Sequence, residues 1–290
     1  MRTLVLLLAI VLAGCAAAQP AAGPEGQPAG EWRDQIHWIP MRDGAGATRL
    51  LYTRICRPKT EVPARLVVIS HGTPPVAAER LTTRPAPCDS EAIRWFLERG
   101  FVVAQAMRRG YGQTGGAYDE GNGSCSAAEY AASGRETARD IAAVVDYAAA
   151  LPFARRDGVV LVGQSAGGWG TIAAAARGDP RIAAYVDMAG GRGGHYHLLA
   201  NSNCRPDQLA AAAGQFGAGA GTRMLWVFTA NDSYFAPDIA QAMHAAFIAA
   251  GGRAELHQIG PFGSDGHRLF WGRGGSQIWG PLVERYLASP

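Results

Sequence analysis

A short stretch in the middle of the chain constrains the fold more than any other feature. Residues 159–162 form an unbroken apolar run that predicts a buried strand, and the Ala-rich segment from Gly168 onward predicts a helix. Residues 163–167 between them read G-x-S-x-G. A strand that turns sharply into a helix brings backbone against backbone, so the outer positions need glycine. The pattern therefore predicts a Ser165 hydroxyl at the tip of the turn, beside an Ala166 N–H free to bind negative charge.

Strand and helix signals alternate along most of the chain. Further strands are predicted over residues 31–41, 48–56, 66–69, 101–106, 182–188, 224–228 and 254–259. Helices are predicted over 90–99, 237–250 and 278–287, and after Ser133, which with Glu136 matches a capping box. Residues 113–132 are expected to be a loop. We therefore expect an α/β fold with a mainly parallel, doubly wound sheet of about eight strands, helices on both faces and a minimal cap.

Composition excludes one large class of function. The net charge of +3 is too small to indicate nucleic-acid binding, and no basic run is interleaved with aromatic residues. A length of 290 residues suits one large α/β domain, which we expect over residues 32–290.

The N-terminal residues are typical of an exported protein. Arg2 precedes an apolar run over residues 4–13, which is too short to span a bilayer and suits a signal peptide over residues 1–14. The run ends in Leu-Ala-Gly-Cys, which looks like a bacterial lipobox with Cys15 as the lipidated residue. We expect a flexible spacer over 15–31 and a lipid anchor in the cell envelope, on the periplasmic face of the outer membrane because Ala16 is not aspartate. The alternative is an ordinary signal peptide cut near Ala18, which would give a secreted protein.

Four cysteines follow Cys15, an even number that suggests disulfide bonds in an exported chain. Three pairings are possible. We favour Cys56–Cys88 and Cys125–Cys204, because the second pair lies in two loops that should meet at one end of the sheet. The spacing of the cysteines fits no zinc motif, so no metal site is expected.

A serine nucleophile needs a base and a carboxylate that orients the base. His267 is favoured as the base because it lies in a glycine-rich loop after the last predicted strand; His195, His197 and His71 also follow strands. Asp232, at the end of a strand, is favoured as the acid. Asp187 and Asp265 remain as alternatives.

The order Ser165, Asp232, His267 resembles the α/β-hydrolase superfamily, and within it the dienelactone-hydrolase-like serine hydrolases. The resemblance covers residues 48–288. It includes the turn at residues 163–167, which we call the elbow, together with His71-Gly72, the Arg-Gly-Tyr-Gly of residues 109–112, Asp232 and Gly266-His267. It implies a catalytic triad and an oxyanion hole formed by the N–H groups of Ala166 and Thr73. It also implies that His71 and Arg109 are supporting residues. A true dienelactone hydrolase has a cysteine where this chain has Ser165.

The expected activity is hydrolysis of short acyl esters or lactones through an acyl-enzyme, with a small-molecule ester as substrate and no cofactor. A small-peptide hydrolase is one alternative. Another is a non-catalytic envelope lipoprotein that binds a ligand or partner on a hydrolase scaffold. The sequence does not indicate an oligomeric state.

Overall fold

The computed structural model describes residues 20–289. The expected signal peptide and the Cys15 lipidation site lie outside these residues. The strands, in chain order, are β1 (Gly23–Ala29), β2 (Asp34–Arg42), β3 (Thr48–Cys56), β4 (Leu66–Ser70), β5 (Val102–Ala106), β6 (Gly123–Ser124), β7 (Ala127–Ala128), β8 (Val159–Gln164), β9 (Ile182–Met188), β10 (Met224–Thr229) and β11 (Ala254–Ile259). The helices are α1 (Glu91–Leu97), α2 (Tyr130–Ala148), α3 (Ala166–Ala175), α4 (Pro206–Gly217), α5 (Pro237–Ala249) and α6 (Gly275–Ala288).

Nine of the strands form one sheet in the order β1-β2-β3-β5-β4-β8-β9-β10-β11. The strands from β5 to β11 in that order pair in parallel, whereas β1, β2 and β3 pair antiparallel. The mainly parallel sheet predicted from the sequence is confirmed, with nine strands instead of about eight. All of the parallel strands therefore end at the same edge, where ligands bind in open sheets of this kind.

Helices cover both faces of the sheet, as predicted. One buried cluster contains side chains of α2, α3, α4 and α5 packed on one face, and a second contains side chains of α1 and α6 on the other. The central strands β4, β5 and β8 are buried along their whole length. Since both faces are covered, these strands are mainly apolar and do not alternate between polar and apolar residues.

The prediction of a flexible spacer over residues 15–31 is wrong for the second half of that range, because residues 23–29 form β1. This strand pairs antiparallel with β2 at the edge of the sheet. Gln35 donates a side-chain hydrogen bond to Gly26 O at 2.7 Å, and Trp38 Nε1 donates to Glu25 Oε2 at 2.8 Å. The segment has two prolines and no hydrophobic alternation, which hides a strand from pattern analysis but is tolerated at a sheet edge.

The segments on either side of the central strands also differ from expectation. Helix α2 begins at Tyr130, so Ser133 lies inside it and donates to Glu120 O at 2.7 Å instead of capping the helix. Residues 113–132, expected to be a loop, include the short hairpin β6–β7. Helix α4 was not predicted. Its buried side chains Leu209, Ala212, Ala213 and Phe216 have helical spacing, and Pro206 begins it.

Two disulfide bonds join the cysteines in the pairing favoured above, Cys56–Cys88 and Cys125–Cys204. The first ties the end of β3 to the segment before α1. The second joins the β6–β7 hairpin to the end of the loop that precedes α4. No helix within residues 20–289 combines the length and the apolar character needed to cross a bilayer.

Candidate active site

Ser165 occupies a sharp turn between β8 and α3. Its backbone has φ 56° and ψ −121°, a conformation that residues other than glycine rarely adopt. A Cβ atom on Gly163 would lie 2.1 Å from Gly167 O, and one on Gly167 would lie 2.1 Å from Ser70 O. The two glycines of the motif are therefore required by close backbone packing, as the sequence predicted.

Hydrogen bonds fix the backbone of Ser165 and leave its hydroxyl group free. The Ser165 N–H donates to Met188 O at 3.0 Å, and the N–H groups of Trp169 and Gly191 donate to Ser165 O at 2.9 and 3.2 Å. The Oγ atom has no hydrogen-bond partner within residues 20–289. It is not fully buried, so it is accessible from the surface. The turn thus presents a held serine with an unengaged hydroxyl.

His267 and Asp232 are in direct contact. The imidazole Nδ1 lies 3.1 Å from both carboxylate oxygens of Asp232, which is fully buried. Asp232 Oδ1 also accepts the backbone N–H groups of Tyr234 and Phe235 at 2.8 and 2.9 Å. A carboxylate held in this way makes Nδ1 the protonated nitrogen and leaves Nε2 as a base.

No hydrogen bond joins Ser165 Oγ to His267 Nε2 within residues 20–289. Gln164 Nε2 donates to His267 O at 3.1 Å, which ties the histidine loop to the residue before the serine. Hydrogen bonds between catalytic groups are often long without substrate and tighten on binding. The structure therefore brings the acid onto the histidine and leaves the contact between histidine and serine open.

Two backbone N–H groups beside Ser165 are unoccupied. Neither Ala166 N, at the start of α3, nor Thr73 N donates to an acceptor within residues 20–289. A Cβ on Gly72 would lie 2.5 Å from Gln164 Oε1 and 3.1 Å from Ser165 Cβ, so the loop after β4 packs directly against the elbow. Two donors near a serine form the arrangement that stabilises an oxyanion.

A buried charge network holds the loop after β4. Glu120 pairs with Arg108 and Arg192, and it also accepts a hydrogen bond from Tyr111. Burial alone would raise the pKa of Glu120, but the two guanidinium groups outweigh it and hold the pKa well below its usual range. Thr73 Oγ1 joins the network, 2.6 Å from the Tyr111 hydroxyl and 3.0 Å from Arg192 Nη1.

Sequence analysis did not identify Glu120 and Arg192. Glu120 lies in the polar segment expected to be a featureless loop, and Arg192 lies among the glycines after β9. A lone acid in a polar segment resembles a solvated residue, so its burial was not visible without the fold.

The carboxyl groups of the two alternative acids, Asp187 and Asp265, do not contact the His267 ring. Asp187 is fully buried against Gly168 and Gly190, no side chain within residues 20–289 hydrogen-bonds its carboxyl group, and burial raises its pKa well above the usual range. Asp265 accepts from Ser233 Oγ at 2.7 Å and from the His267 N–H at 3.1 Å, but it does not contact the imidazole ring. Neither carboxyl group is placed to orient His267.

The alternative histidines either have other hydrogen-bond partners or are exposed. His71 is buried, with Nδ1 donating to Gly72 O at 2.7 Å and Nε2 accepting the Arg108 N–H at 3.3 Å. His195 lies beside the site, with Nε2 2.8 Å from Ser233 Oγ. His197 is exposed. Arg109, expected to be a supporting residue, pairs with Asp119, Glu136 and Asp140.

A cavity of about 230 Å³ opens above Ser165. Besides Ser165, Ala166 and Thr73, its lining includes two arginines, Arg80 and Arg192, and no acidic residue. Arg80 lies over the Tyr118 ring, 3.9 Å from its centroid, and pairs with no carboxylate within residues 20–289. A larger cavity of about 470 Å³ lies away from Ser165 and has no histidine or cysteine in its lining, so it offers no base to activate a nucleophile.

Potential metal ligands come together at one place in the described residues, where Asp34, Cys56 and Cys88 lie close to one another. Both cysteines are in a disulfide bond, and a disulfide provides no thiolate to bind a metal. This cluster is not a candidate metal centre.

Comparison with known proteins gives one family match and many structural matches. Residues 88–190, less than half of the chain, match the prolyl oligopeptidase family of peptidases. No curated protein matches the chain in sequence.

Solved structures match over most of the chain. A protein of Klebsiella pneumoniae assigned as a dienelactone hydrolase has a TM-score of 0.58 at 17% identity, covering 89% of this chain and 98% of its own. Acetyl xylan esterase 1 from Thermoanaerobacterium sp. has a TM-score of 0.63 at 14% identity, covering 94% and 90%. An acylaminoacyl peptidase has a TM-score of 0.63 at 13% identity, covering 90% of this chain and 42% of its own. At these identities the likeness establishes the fold.

Proposed function

We propose, from the premise that this chain has the α/β-hydrolase fold, that it is a serine hydrolase that cleaves carboxylic esters through an acyl-enzyme intermediate. The family match and the structural neighbours support a hydrolase of the serine type. The ester substrate is our inference from the site. The observation that carries the proposal is the His267–Asp232 contact beside Ser165, whose hydroxyl and neighbouring N–H groups are unoccupied.

Each group has a defined role in the proposed mechanism. His267 Nε2 takes the proton from Ser165 Oγ as that oxygen attacks the ester carbonyl. Asp232 keeps the proton on Nδ1 and stabilises the imidazolium that forms. The N–H groups of Ala166 and Thr73 bind the oxyanion of the tetrahedral intermediate. His267 then protonates the departing alcohol, and a water activated by the same nitrogen releases the acid.

The test is removal of the nucleophile. Ser165→Ala should lose p-nitrophenyl acetate hydrolysis by at least about a thousandfold and lose labelling by a fluorophosphonate probe, with an unchanged circular dichroism spectrum. Ser126→Ala is the matched control, because Ser126 is exposed and hydrogen-bonds only to Ser124. Wild-type protein that is neither labelled nor active would instead support a binding protein on a hydrolase scaffold.

The cavity favours small, negatively charged substrates. Its volume of about 230 Å³ is below the range typical of drug-sized ligands, which supports short acyl esters or lactones. Arg80 has no carboxylate partner within residues 20–289, and Arg192 shares the single carboxylate of Glu120 with Arg108, so the cavity has a positive potential. An ester with a carboxylate in its acyl part should therefore bind more tightly than a neutral ester of the same length.

This preference predicts a specific effect of Arg80. Arg80→Gln should raise KM for p-nitrophenyl hemisuccinate about tenfold, the equivalent of ~1.4 kcal/mol, and change KM for p-nitrophenyl butyrate little. Arg84→Gln is the control, because Arg84 is exposed. Equal effects of Arg80→Gln on both esters would contradict a carboxylate-binding role.

Peptide hydrolysis is the second candidate, favoured by the match of residues 88–190 to a peptidase family. Ester and amide substrates with the same acyl group separate the two functions. The ester proposal predicts that the enzyme cleaves an alanine p-nitrophenyl ester faster than an alanine p-nitroanilide. The ratio of the two enzymatic rates should exceed the ratio of the uncatalysed rates. A peptidase would cleave N-acylated or free aminoacyl p-nitroanilides efficiently.

We also propose that the chain is an exported lipoprotein attached to a membrane through Cys15. The support is the sequence of residues 1–15, whose apolar run and Leu-Ala-Gly-Cys ending are typical of lipoprotein signals. Cys15→Ala should move the protein from the membrane fraction to the soluble or precursor fraction. A protein that fractionates identically with and without Cys15 would contradict the anchor.

A further inference from the structure

Three aromatic rings are stacked beside the candidate active site. The rings of His195 and Tyr234 are parallel within 3°, with centroids 3.6 Å apart. Tyr234 also stacks on His267, with centroids 4.1 Å apart and an angle of 23°. Tyr234 is therefore sandwiched between the imidazole that contacts Asp232 and a second imidazole with no part in the mechanism above. We call these three residues the ring column.

Hydrogen bonds anchor the outer ring of the column. Ser233 Oγ donates to Asp265 Oδ2 at 2.7 Å, so its single proton is used there. His195 Nε2 lies 2.8 Å from Ser233 Oγ and must donate its own proton to that oxygen. Burial lowers the pKa of His195, which agrees with a neutral ring of this tautomer. Asp265 thus holds His195 through Ser233 and also accepts the His267 N–H.

The loop that carries His195 is fastened to the residues around Tyr234. Asn201 N donates to Ser233 O at 2.7 Å, and Asn203 Nδ2 donates to Tyr234 O at 2.6 Å. The backbone of His195 is left-handed, with φ 53°, as is the backbone of His197 in the same loop. The hydrogen bonds from Asn201 and Asn203 therefore hold this loop against Ser233 and Tyr234.

We propose that Tyr234 and His195 are positioning residues that hold the His267 imidazole in the plane from which Nε2 faces Ser165. This inference rests on the proposed function. Asp232 contacts Nδ1 with both oxygens at 3.1 Å, which fixes one edge of the ring but leaves rotation about that contact less restricted. Tyr234 covers one face of the imidazole and opposes that rotation. When His267 becomes an imidazolium during the reaction, the electron-rich face of Tyr234 also favours its positive charge.

The charged groups that face the column are few. Asp232 and Asp265 are the nearest carboxylates, and Arg268 and Glu79 act on Tyr234 at longer range. Phe235 also packs near His267, with ring centroids 5.7 Å apart and ring planes inclined at 59°. Tyr234 thus contacts a face of the imidazole, whereas Asp232 contacts its Nδ1 edge.

The decisive variant is Tyr234→Leu, which keeps an apolar side chain but removes the ring. We expect kcat on p-nitrophenyl acetate to fall by about tenfold to a hundredfold, because small misplacements of a catalytic group have effects of this size. KM should change less than threefold. Tyr234→Phe keeps the ring face and should restore most of kcat. Tyr196→Leu is the matched control, because Tyr196 is next to His195 in the chain but is exposed.

Proton NMR gives a readout that a merely structural role would not move. The ring current of Tyr234 should shift the carbon-bound ring protons of His267 upfield, and Tyr234→Leu should move them downfield whereas Tyr234→Phe should not. His195→Ala leaves Tyr234 in place and tests the outer ring separately. We expect a smaller kcat loss, of about threefold to tenfold, and a broader His267 signal as the column loosens.

The inference fails if folded Tyr234→Leu and His195→Ala both keep wild-type kcat, or if they change KM alone. It also fails if Tyr234→Leu leaves the His267 ring protons where they are in the wild type. A wild type that is inactive and unlabelled by the fluorophosphonate refutes the proposed function instead, and the NMR shifts still decide whether the column holds the imidazole.

Discussion

Ser165 shows how a single backbone conformation can define a site. Its φ of 56° is possible because Gly163 and Gly167 allow β8, α3 and the loop after β4 to touch without side chains between them. The strain of such a conformation, on the order of 1–3 kcal/mol, is compensated by the packing around it. The hydroxyl is consequently held outside the sheet, where the other groups of the site can reach it.

The two buried aspartates near the site should respond differently to the same substitution. Asp232→Asn should lower kcat by about 10³–10⁴-fold, because an amide no longer fixes the imidazole tautomer. Asp187→Asn should change kcat by less than about threefold, because Asp187 does not contact His267 and burial, which raises its pKa, favours the neutral carboxyl group that an amide resembles. Steady-state kinetics on p-nitrophenyl acetate provide the measurement. A large loss in Asp187→Asn with little loss in Asp232→Asn would reverse the assignment.

The buried imidazole of His71 should make the stability of the folded protein depend on pH. Burial, reinforced by Arg108, lowers its pKa to about 3, because a second ring proton would face the Arg108 N–H that Nε2 now accepts. The unfolded chain therefore binds a proton near pH 6.5 while the folded protein does not, so stability is present above this pH and is lost as pH falls toward 3. Between pH 6.5 and 4.5 the loss should be about 2–3 kcal/mol.

Urea denaturation across this pH range tests the effect of His71. The variant His71→Gln cannot titrate, so the difference in unfolding free energy between wild type and variant should shrink as pH falls. A difference that stays constant from pH 7 to 4.5 would show that His71 does not contribute this dependence.

Among the elements, the loop after β4 depends most on parts of the chain that are distant in sequence. Its Thr73 is held by Tyr111 after β5 and by Arg192 after β9, and both of these contact Glu120 before α2. A buried charge of this kind is stable only while its partners are present. The position of the proposed oxyanion donor thus depends on two other loops, one after β5 and one after β9.

Removal of the charge at Glu120 should damage both stability and activity. Glu120→Gln leaves Arg108 and Arg192 buried without an anion, so we expect a loss of about 3–5 kcal/mol and a fall in Tm of about 5–10 °C. Activity should fall by about tenfold or more as Thr73 moves. Glu98→Gln is the control, because its pair with Arg94 is exposed and should contribute less than about 1 kcal/mol. Similar Tm values for the two variants would contradict the role of the network.

For the whole molecule, the two disulfide bonds provide different constraints. They close segments of 32 and 79 residues, and each should stabilise the fold by on the order of 4 kcal/mol through the unfolded state. Cys56–Cys88 lies on the side of the sheet covered by α1 and α6. Cys125–Cys204 instead anchors the end of the loop that carries His195.

Serine replacements of each cysteine pair should therefore separate stability from activity. Both double variants should lower Tm, and the Cys125/Cys204 variant should also lower kcat, since the ring column loses an anchor. Scanning calorimetry and esterase kinetics would measure the two effects. Loss of kcat in the Cys56/Cys88 variant alone would contradict the proposed coupling.

The central elements were predictable because their signals are local. Strands β4, β5, β8, β9 and β10 are mainly apolar, and the G-x-S-x-G motif requires a turn whose geometry follows from its own glycines. Strand β1 and helix α4 were missed for the opposite reason. The first depends on pairing with β2, and the glycines of α4 weakened a spacing that was present in the sequence.

By itself the sequence determined the parallel sheet, the elbow with Ser165, and a short set of histidines and acids that follow strands. Tertiary structure decided which acid lies on His267, because Asp187 and Asp232 both end strands and only the direction of each loop separates them. It also decided that Glu120 and Arg192 are buried together and that Tyr234 lies between two imidazoles. These are contacts between distant segments, and the sheet order that brings the segments together is encoded by the packing of the whole chain and not by any local pattern.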